Sequence, residues 1–190
     1  MLKADDTRMG FIFFGGKMEY WDIYDIERIK TGKTMLRGQE FPNGAYHLVI
    51  HICVFNEKGE MLIQQRQPFK EGWPDMWDIS VGGSAVMGDS SQAAAEREAV
   101  EELGLKLNLS GIRPNLTINF DRGFDDIYLI EKSVDIAELK LQPEEVQSAR
   151  WASREEILKM IEDGVFIPYY PSLINLFFDS RNKYGCISKE

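Results

Sequence analysis

Cysteine is scarce in this chain, with two among 190 residues, Cys53 and Cys186. Two thiols cannot build a disulfide framework, and these two lack the spacing of a metal-ligand pair. Cys53 lies in an apolar strand pattern and reads as a small core residue. Long apolar runs are lacking too. The best candidate, Leu48 to Phe55, is interrupted by His51 and falls far short of the roughly 20 residues that span a bilayer. The N-terminus, MLKADDTRMG, carries acidic residues where a secretory signal needs an apolar stretch, so no export signal is read there. Basic charge is in deficit, 22 Lys and Arg against 31 Asp and Glu, for a formal net charge of -9. That excludes broad binding to a nucleic-acid polymer or to an anionic membrane, both of which call for a basic face. These absences suit a reducing cytoplasm. They leave open a local basic pocket, and a divalent metal held by clustered carboxylates.

What is present reads as one α/β domain. There is no internal repeat and no low-complexity linker, and 44% hydrophobic residues suffice for one core. Residues 1–17 differ from the rest, with Phe11, Phe13 and Phe14 ahead of Gly15 and Gly16. Met18 opens the well-patterned part, so 1–17 reads as an extension, a candidate translated leader, and 18–190 as a single domain. Strands are predicted over 19–25 and 34–37 as an N-terminal hairpin, over 46–55 and 61–65 as a second hairpin, and over 78–81, 116–120, 126–132 and 146–151. A first helix is expected to open on a capping box at Asp89-Ser90-Ser91-Gln92 and to stop at Gly104. A second opens on Ser153 and Glu156 and stops at Gly164. A third starts at Pro171 with Leu173, Leu176 and Phe177 on its apolar face. Strands mixed with helices in this way indicate a mixed α/β fold.

The chemistry concentrates in GSAVMGDSSQAAAEREAVEELGL, residues 83–105. At about 100° per residue, Glu98, Glu101 and Glu102 fall within an arc of roughly 100° on one helix. Ser91, Ala94 and Ala95 leave that side open to close approach, and Val100 and Leu103 are expected to anchor the far side. Three carboxylates on one stripe repel each other, and a hard divalent cation converts the repulsion into coordination. Arg97 is placed to pair with a neighbouring carboxylate and hold its geometry. Three glutamates alone more often mark a solvated acidic face. The residues around them decide between the two.

The stretch resembles the Nudix box, G-x5-E-x7-R-E-U-x-E-E-x-G-U, where U is a bulky apolar residue. Gly83 opens it, Arg97 and Glu98 are its arginine and glutamate, Glu101 and Glu102 its acidic pair, and Gly104 and Leu105 close it. Asp89 stands where the family has glutamate, and Ala99 is small for the first U. The resemblance implies a Nudix fold, a mixed β-sheet between α-helices (α/β/α), here with an N-terminal β-hairpin extension. It implies Mg²⁺ or Mn²⁺ on Glu98, Glu101 and Glu102, with the Gly82 carbonyl, and hydrolysis of a small-molecule diphosphate by activated water. Arg97, Glu98 and Glu101 are then the catalytic group, with Glu98 the first choice of base and Asp125, Asp126, Glu144 and Glu145 unranked loop candidates. Asp89 is one methylene shorter than the family's acid, which implies weaker metal support; its other reading is a helix N-cap. Homodimers are common among such enzymes.

Tyr20 to about Tyr170 further resembles the branch nearest isopentenyl diphosphate isomerase, through YHLVIHICVFN, LIQQRQPFKEGWPDMWDIS and the glycines that follow. In that branch a basic pair grips the diphosphate, and Arg66 and Lys70 match it, one planar fork and one point charge. The isomerase cysteine aligns with Gly82, and two of its histidine ligands align with Glu40 and Ser84, leaving only His47 in place. A proton-shuttling isomerase without its thiol is not expected to work. The intact glutamate set points to a hydrolase. His47 and His51 share one strand face, facing either a pocket or the core. Trp73 and Trp77 either stack on a substrate or pack.

Overall fold

A computed structural model describes residues 18–185 and Ile187 of the chain. The leader reading of residues 1–17, like Cys186, lies outside the described residues. In chain order the elements are β1 (Tyr20–Tyr24), β2 (Lys30–Leu36), β3 (His47–Phe55), β4 (Met61–Arg66), β5 (Trp77–Asp78), β6 (Val81–Ser84) and α1 (Ser91–Leu103). They continue with β7 (Leu116–Phe120), β8 (Gly123–Glu131), β9 (Val146–Ala152), α2 (Arg154–Glu162) and α3 (Pro171–Ser180).

The alternating β-branched and apolar residues of β3 make it the centre of a seven-stranded sheet, ordered β5-β4-β3-β8-β7, with β6 also on β3 and β9 also on β4. β3 runs parallel to β8 along its length and antiparallel to β6, so the sheet is mixed. Alternation sends Ile50, Ile52 and Val54 to one face, where Ala94, Ala95, Ala99 and Leu103 of α1 cover them. Cys53 and Phe55 face the other way, under Ile157 of α2 and Ile174, Phe177 and Phe178 of α3. The result is the expected α/β/α layering. β1 and β2 pair as a separate hairpin built on Trp21, Ile23 and Met35.

Five local expectations are corrected. The second hairpin is one only at its turn, where Phe55 pairs with Met61; beyond it β3 takes β6, and β4 takes β5 and β9. Ser80, fully buried, bridges the divergence by accepting from Val54 N at 2.8 Å and donating to Leu62 O at 2.5 Å. That inward turn splits the predicted strand over 78–81 into β5 and β6. In α1 the N-cap is Ser90, which accepts from Ala93 N, while Gln92 reaches across to Ile112 O, so no capping box forms. The box at Ser153 and Glu156 does form. Val100 is 45% exposed and anchors nothing, because Ala95, Ala99 and Leu103 define the core face. Leu176 is likewise exposed on α3, where Ile174, Phe177 and Phe178 are the buried residues.

Candidate active site

The alanine face of α1 allows the helix to lie close on β6, and that proximity makes the site. A Cβ on Gly83 would sit 2.2 Å from Glu98 Cδ, and one on Gly82, on the opposite face, 2.7 Å from His51 Cδ2. Glycine at both positions is a steric requirement of what lies against each face of β6. The same rotation turns Glu102 inward, where it is 6% exposed and accepts a 2.7 Å hydrogen bond from Gln64 Nε2 of β4. Burial pushes the Glu102 carboxyl well above the ordinary carboxylate range, and the Glu98 charge pushes the same way. Glu98 is raised to about 7, first by burial and then by Glu101 and Glu19, against the pull of Arg97.

Arg97 gathers the box. Its guanidinium donates to Glu98 Oε1 and Glu101 Oε2, both at 2.9 Å, to Asp89 Oδ2 at 3.0 Å and to Ser84 O at 3.1 Å. Asp89 also accepts from Val86 N at 3.2 Å, so it closes the loop before the helix and is not the N-cap. Gly104 takes the left-handed conformation (φ 66°) that ends α1.

Arg66 and Lys70 lie beside this group, each on a carboxylate. Lys70 pairs with Glu145, whose charge also acts on Glu102. Arg66 donates from Nε to Gly72 O at 3.0 Å and has Asp78 Oδ2 at 3.7 Å. Asp125 and Asp126, expected in a loop, lie in β8, where Asp126 is buried in an ion pair with Arg28 and Asp125 holds His51 Nδ1 at 2.8 Å, while the Glu145 charge reaches the box. Trp77 packs with Arg150 over its ring at 5.2 Å, and Trp73 is half exposed.

His47 stands apart from the carboxylates. It is 7% exposed and stacks on Trp21 at 4.5 Å, with Phe41 at 5.0 Å and Phe120 at 5.6 Å between ring centroids. Burial lowers its pKa to about 4. The folded protein therefore keeps it neutral where the unfolded chain, with a pKa near 6.5, takes up a proton. Its contribution to stability is whole above pH 6.5 and is lost as pH falls from there to about 4. Denaturant titrations of the wild type and His47→Phe should show the stability difference steady above neutrality and shifting against the wild type through that window. A difference independent of pH contradicts the placement.

Glu98, Glu101 and Glu102 offer the hard oxygen donors that Mg²⁺ or Mn²⁺ takes, and the pKa values of Glu98 and Glu102 are raised first by burial, a cost that a cation beside the carboxylates would offset. Among the described residues no three acidic, imidazole or thiol side chains already converge as a metal cage. Glu98 and Glu101 rest on Arg97, so a cation must compete with that guanidinium. The donor chemistry fits such a cation.

Three features escaped sequence reading: Gln64 on Glu102, the His51–Asp125 pair, and the nearness of Glu19. Only Gln64 left a trace, as a polar residue on the same strand face as the apolar Leu62.

The NUDIX domain family model matches residues 45–170. The chain is 49% identical to an uncharacterized Nudix hydrolase of Listeria monocytogenes over 165 residues, covering 87% of this chain and 96% of that protein. It is 29% identical to an isopentenyl-diphosphate Delta-isomerase of Citrobacter koseri over 123 residues, 60% of this chain and 66% of the isomerase. In fold it is similar to the crystal structure of DR0079 from Deinococcus radiodurans, with a TM-score of 0.67 at 23% identity over 83% of this chain and 98% of that one. Among the described residues no helix is long and apolar enough to cross a membrane. Nudix enzymes generally use divalent metal ions and act on small molecules. With the box folded as loop and helix around Arg97, and the family model spanning well over half its length, this chain belongs to the Nudix hydrolase family.

Proposed function

We propose that this protein is an Mg²⁺- or Mn²⁺-dependent diphosphohydrolase of the cytoplasm, with residues 18–190 as one functional unit. It cleaves a phosphoanhydride in a nucleoside di- or triphosphate or a related small diphosphate. The observation that carries the reading is the grouping of Glu98 and Glu101 on Arg97, with Glu102 one helical turn beyond Glu98, buried and held only by the neutral amide of Gln64. Glu98, Glu101, Glu102 and the Gly82 carbonyl are the groups that would hold the cation. Bound there, it neutralises phosphate oxygens and lowers the pKa of water.

The chain's own residues do the rest. Glu98 is the base proposed to take a proton from the attacking water, its proton affinity already raised by burial in the metal-free protein. Arg97 keeps Glu98 and Glu101 in place until they are engaged, and is a positioning group more than a reacting one. Arg66 and Lys70 exchange Asp78 and Glu145 for the substrate's diphosphate, which is the stronger anion.

The isomerase reading meets a steric obstacle. A side chain at position 82 needs the space that the His51 ring fills. A panel of nucleotides, nucleotide sugars, coenzymes and isopentenyl diphosphate, assayed with Mg²⁺ and Mn²⁺, tests both. Cleavage of the phosphoanhydride, read as phosphate, pyrophosphate or a pair of phosphomonoesters, supports hydrolysis. Double-bond migration without phosphate release overturns it.

A further inference from the structure

The β1–β2 hairpin is outside the main sheet, yet it grips the loop between β6 and α1 at three points. Met87 donates its backbone N–H to Tyr20 O at 2.7 Å, and Gly88 donates its own to Asp22 Oδ2 at 2.9 Å. Lys30 Nζ donates to Asp89 O at 2.7 Å and to Asp22 Oδ2 at 2.7 Å, which closes the group on itself. Elsewhere the hairpin is pinned to the main sheet by reciprocal backbone bonds between Tyr24 and Tyr46, at 2.8 and 3.0 Å. The gripped loop ends in the residue that holds the site. Asp89 accepts from Arg97, and Arg97 holds Glu98 and Glu101.

We propose that Asp22 and Lys30 are positioning residues for catalysis. The hairpin acts as a clamp that fixes the main chain of the box loop and, through Asp89 and Arg97, the two carboxylates. This rests on the hydrolase reading above. Two properties favour it over a purely structural role. The Asp22–Lys30 pair is open to solvent on its lysine side, where such pairs add little to stability. Yet both side chains also bind backbone atoms of the box loop, where displacement is felt at the site. Rate and stability should therefore separate.

The test is the full chain with Asp22→Asn, Lys30→Met and Lys30→Arg, and with Lys33→Met as a charge removal on the same hairpin away from the loop. The clamp predicts that kcat falls by about 10-fold in Asp22→Asn and Lys30→Met with KM within about twofold. Unfolding midpoints stay near the wild type, and Lys30→Arg recovers most of the rate. Hydrogen exchange at the Gly88 amide should quicken by about 10-fold in Asp22→Asn, independently of any substrate. Wild-type kcat in both variants overturns the clamp, as does a rate loss shared by Lys33→Met or one that tracks global unfolding. A wild type that turns over nothing counts against the hydrolase reading instead. Gly88 exchange still judges the clamp in that case, and unchanged exchange overturns it.

Discussion

Glu98→Gln is expected to lower kcat by roughly 10³-fold with little change in KM, and at the same time to make the protein more stable at alkaline pH. The rate loss follows because the amide neither takes a proton nor carries the charge that a cation needs. The stability gain follows from burial. Glu98 has a folded pKa of about 7 against an ordinary 4.5, so the folded protein binds the proton more tightly than the unfolded chain. A carboxyl raised in this way costs nothing below pH 4.5 and progressively more as pH rises to about 7. The variant should match the wild type near pH 4 and exceed it at pH 8, read from urea midpoints in metal-free buffer. Equal stability at both pH values contradicts the buried, charge-crowded position of Glu98.

Gly83→Ala is the second large effect, and it should separate geometry from folding. Its new Cβ would fall 2.2 Å from Glu98 Cδ, a distance that cannot stand. What it meets is the end of a flexible side chain, so Glu98 moves and the fold remains. A displacement of about 1 Å in a catalytic group costs on the order of 10²-fold in rate. Turnover should fall by about that factor, with the far-ultraviolet spectrum retained and the unfolding midpoint shifted only slightly. Retained turnover would mean that Glu98 tolerates being moved, and that it is neither base nor ligand.

Much of this site was legible in the sequence because the box fixes residue types at fixed spacing on one helix. Arg97, Glu98 and Glu101 come together on α1 as helix spacing implies, with Gly83 of β6 against Glu98, while Glu102 turns inward to Gln64. Which way the helix turns toward the sheet was harder. Val100 looked like a core anchor by size, but three small alanines and Leu103 win by letting α1 approach more closely. That choice buries Glu102. Contacts between elements distant in sequence were beyond reach: Gln64 with Glu102, His51 with Asp125, and the hairpin with the box loop. Each depends on which elements become neighbours in space, as when β3 pairs along its length with β8 and meets β4 only at the turn. Asp89 illustrates the same limit. Its position suggested an N-cap, and its partner proved to be Arg97, two helical turns on.

The central claim is that Glu98, Glu101 and Glu102 bind a divalent cation and that hydrolysis depends on it. Its most direct test is a Mg²⁺ and Mn²⁺ titration of diphosphate turnover by the wild type and Glu101→Gln, with Mn²⁺ binding followed in parallel by the loss of its free electron-spin-resonance signal. The account predicts no turnover in chelator, saturable activation in the wild type, and weakened Mn²⁺ binding together with lost turnover in the variant. Turnover that survives the chelator, or a Glu101→Gln variant with wild-type rate and Mn²⁺ affinity, would contradict it.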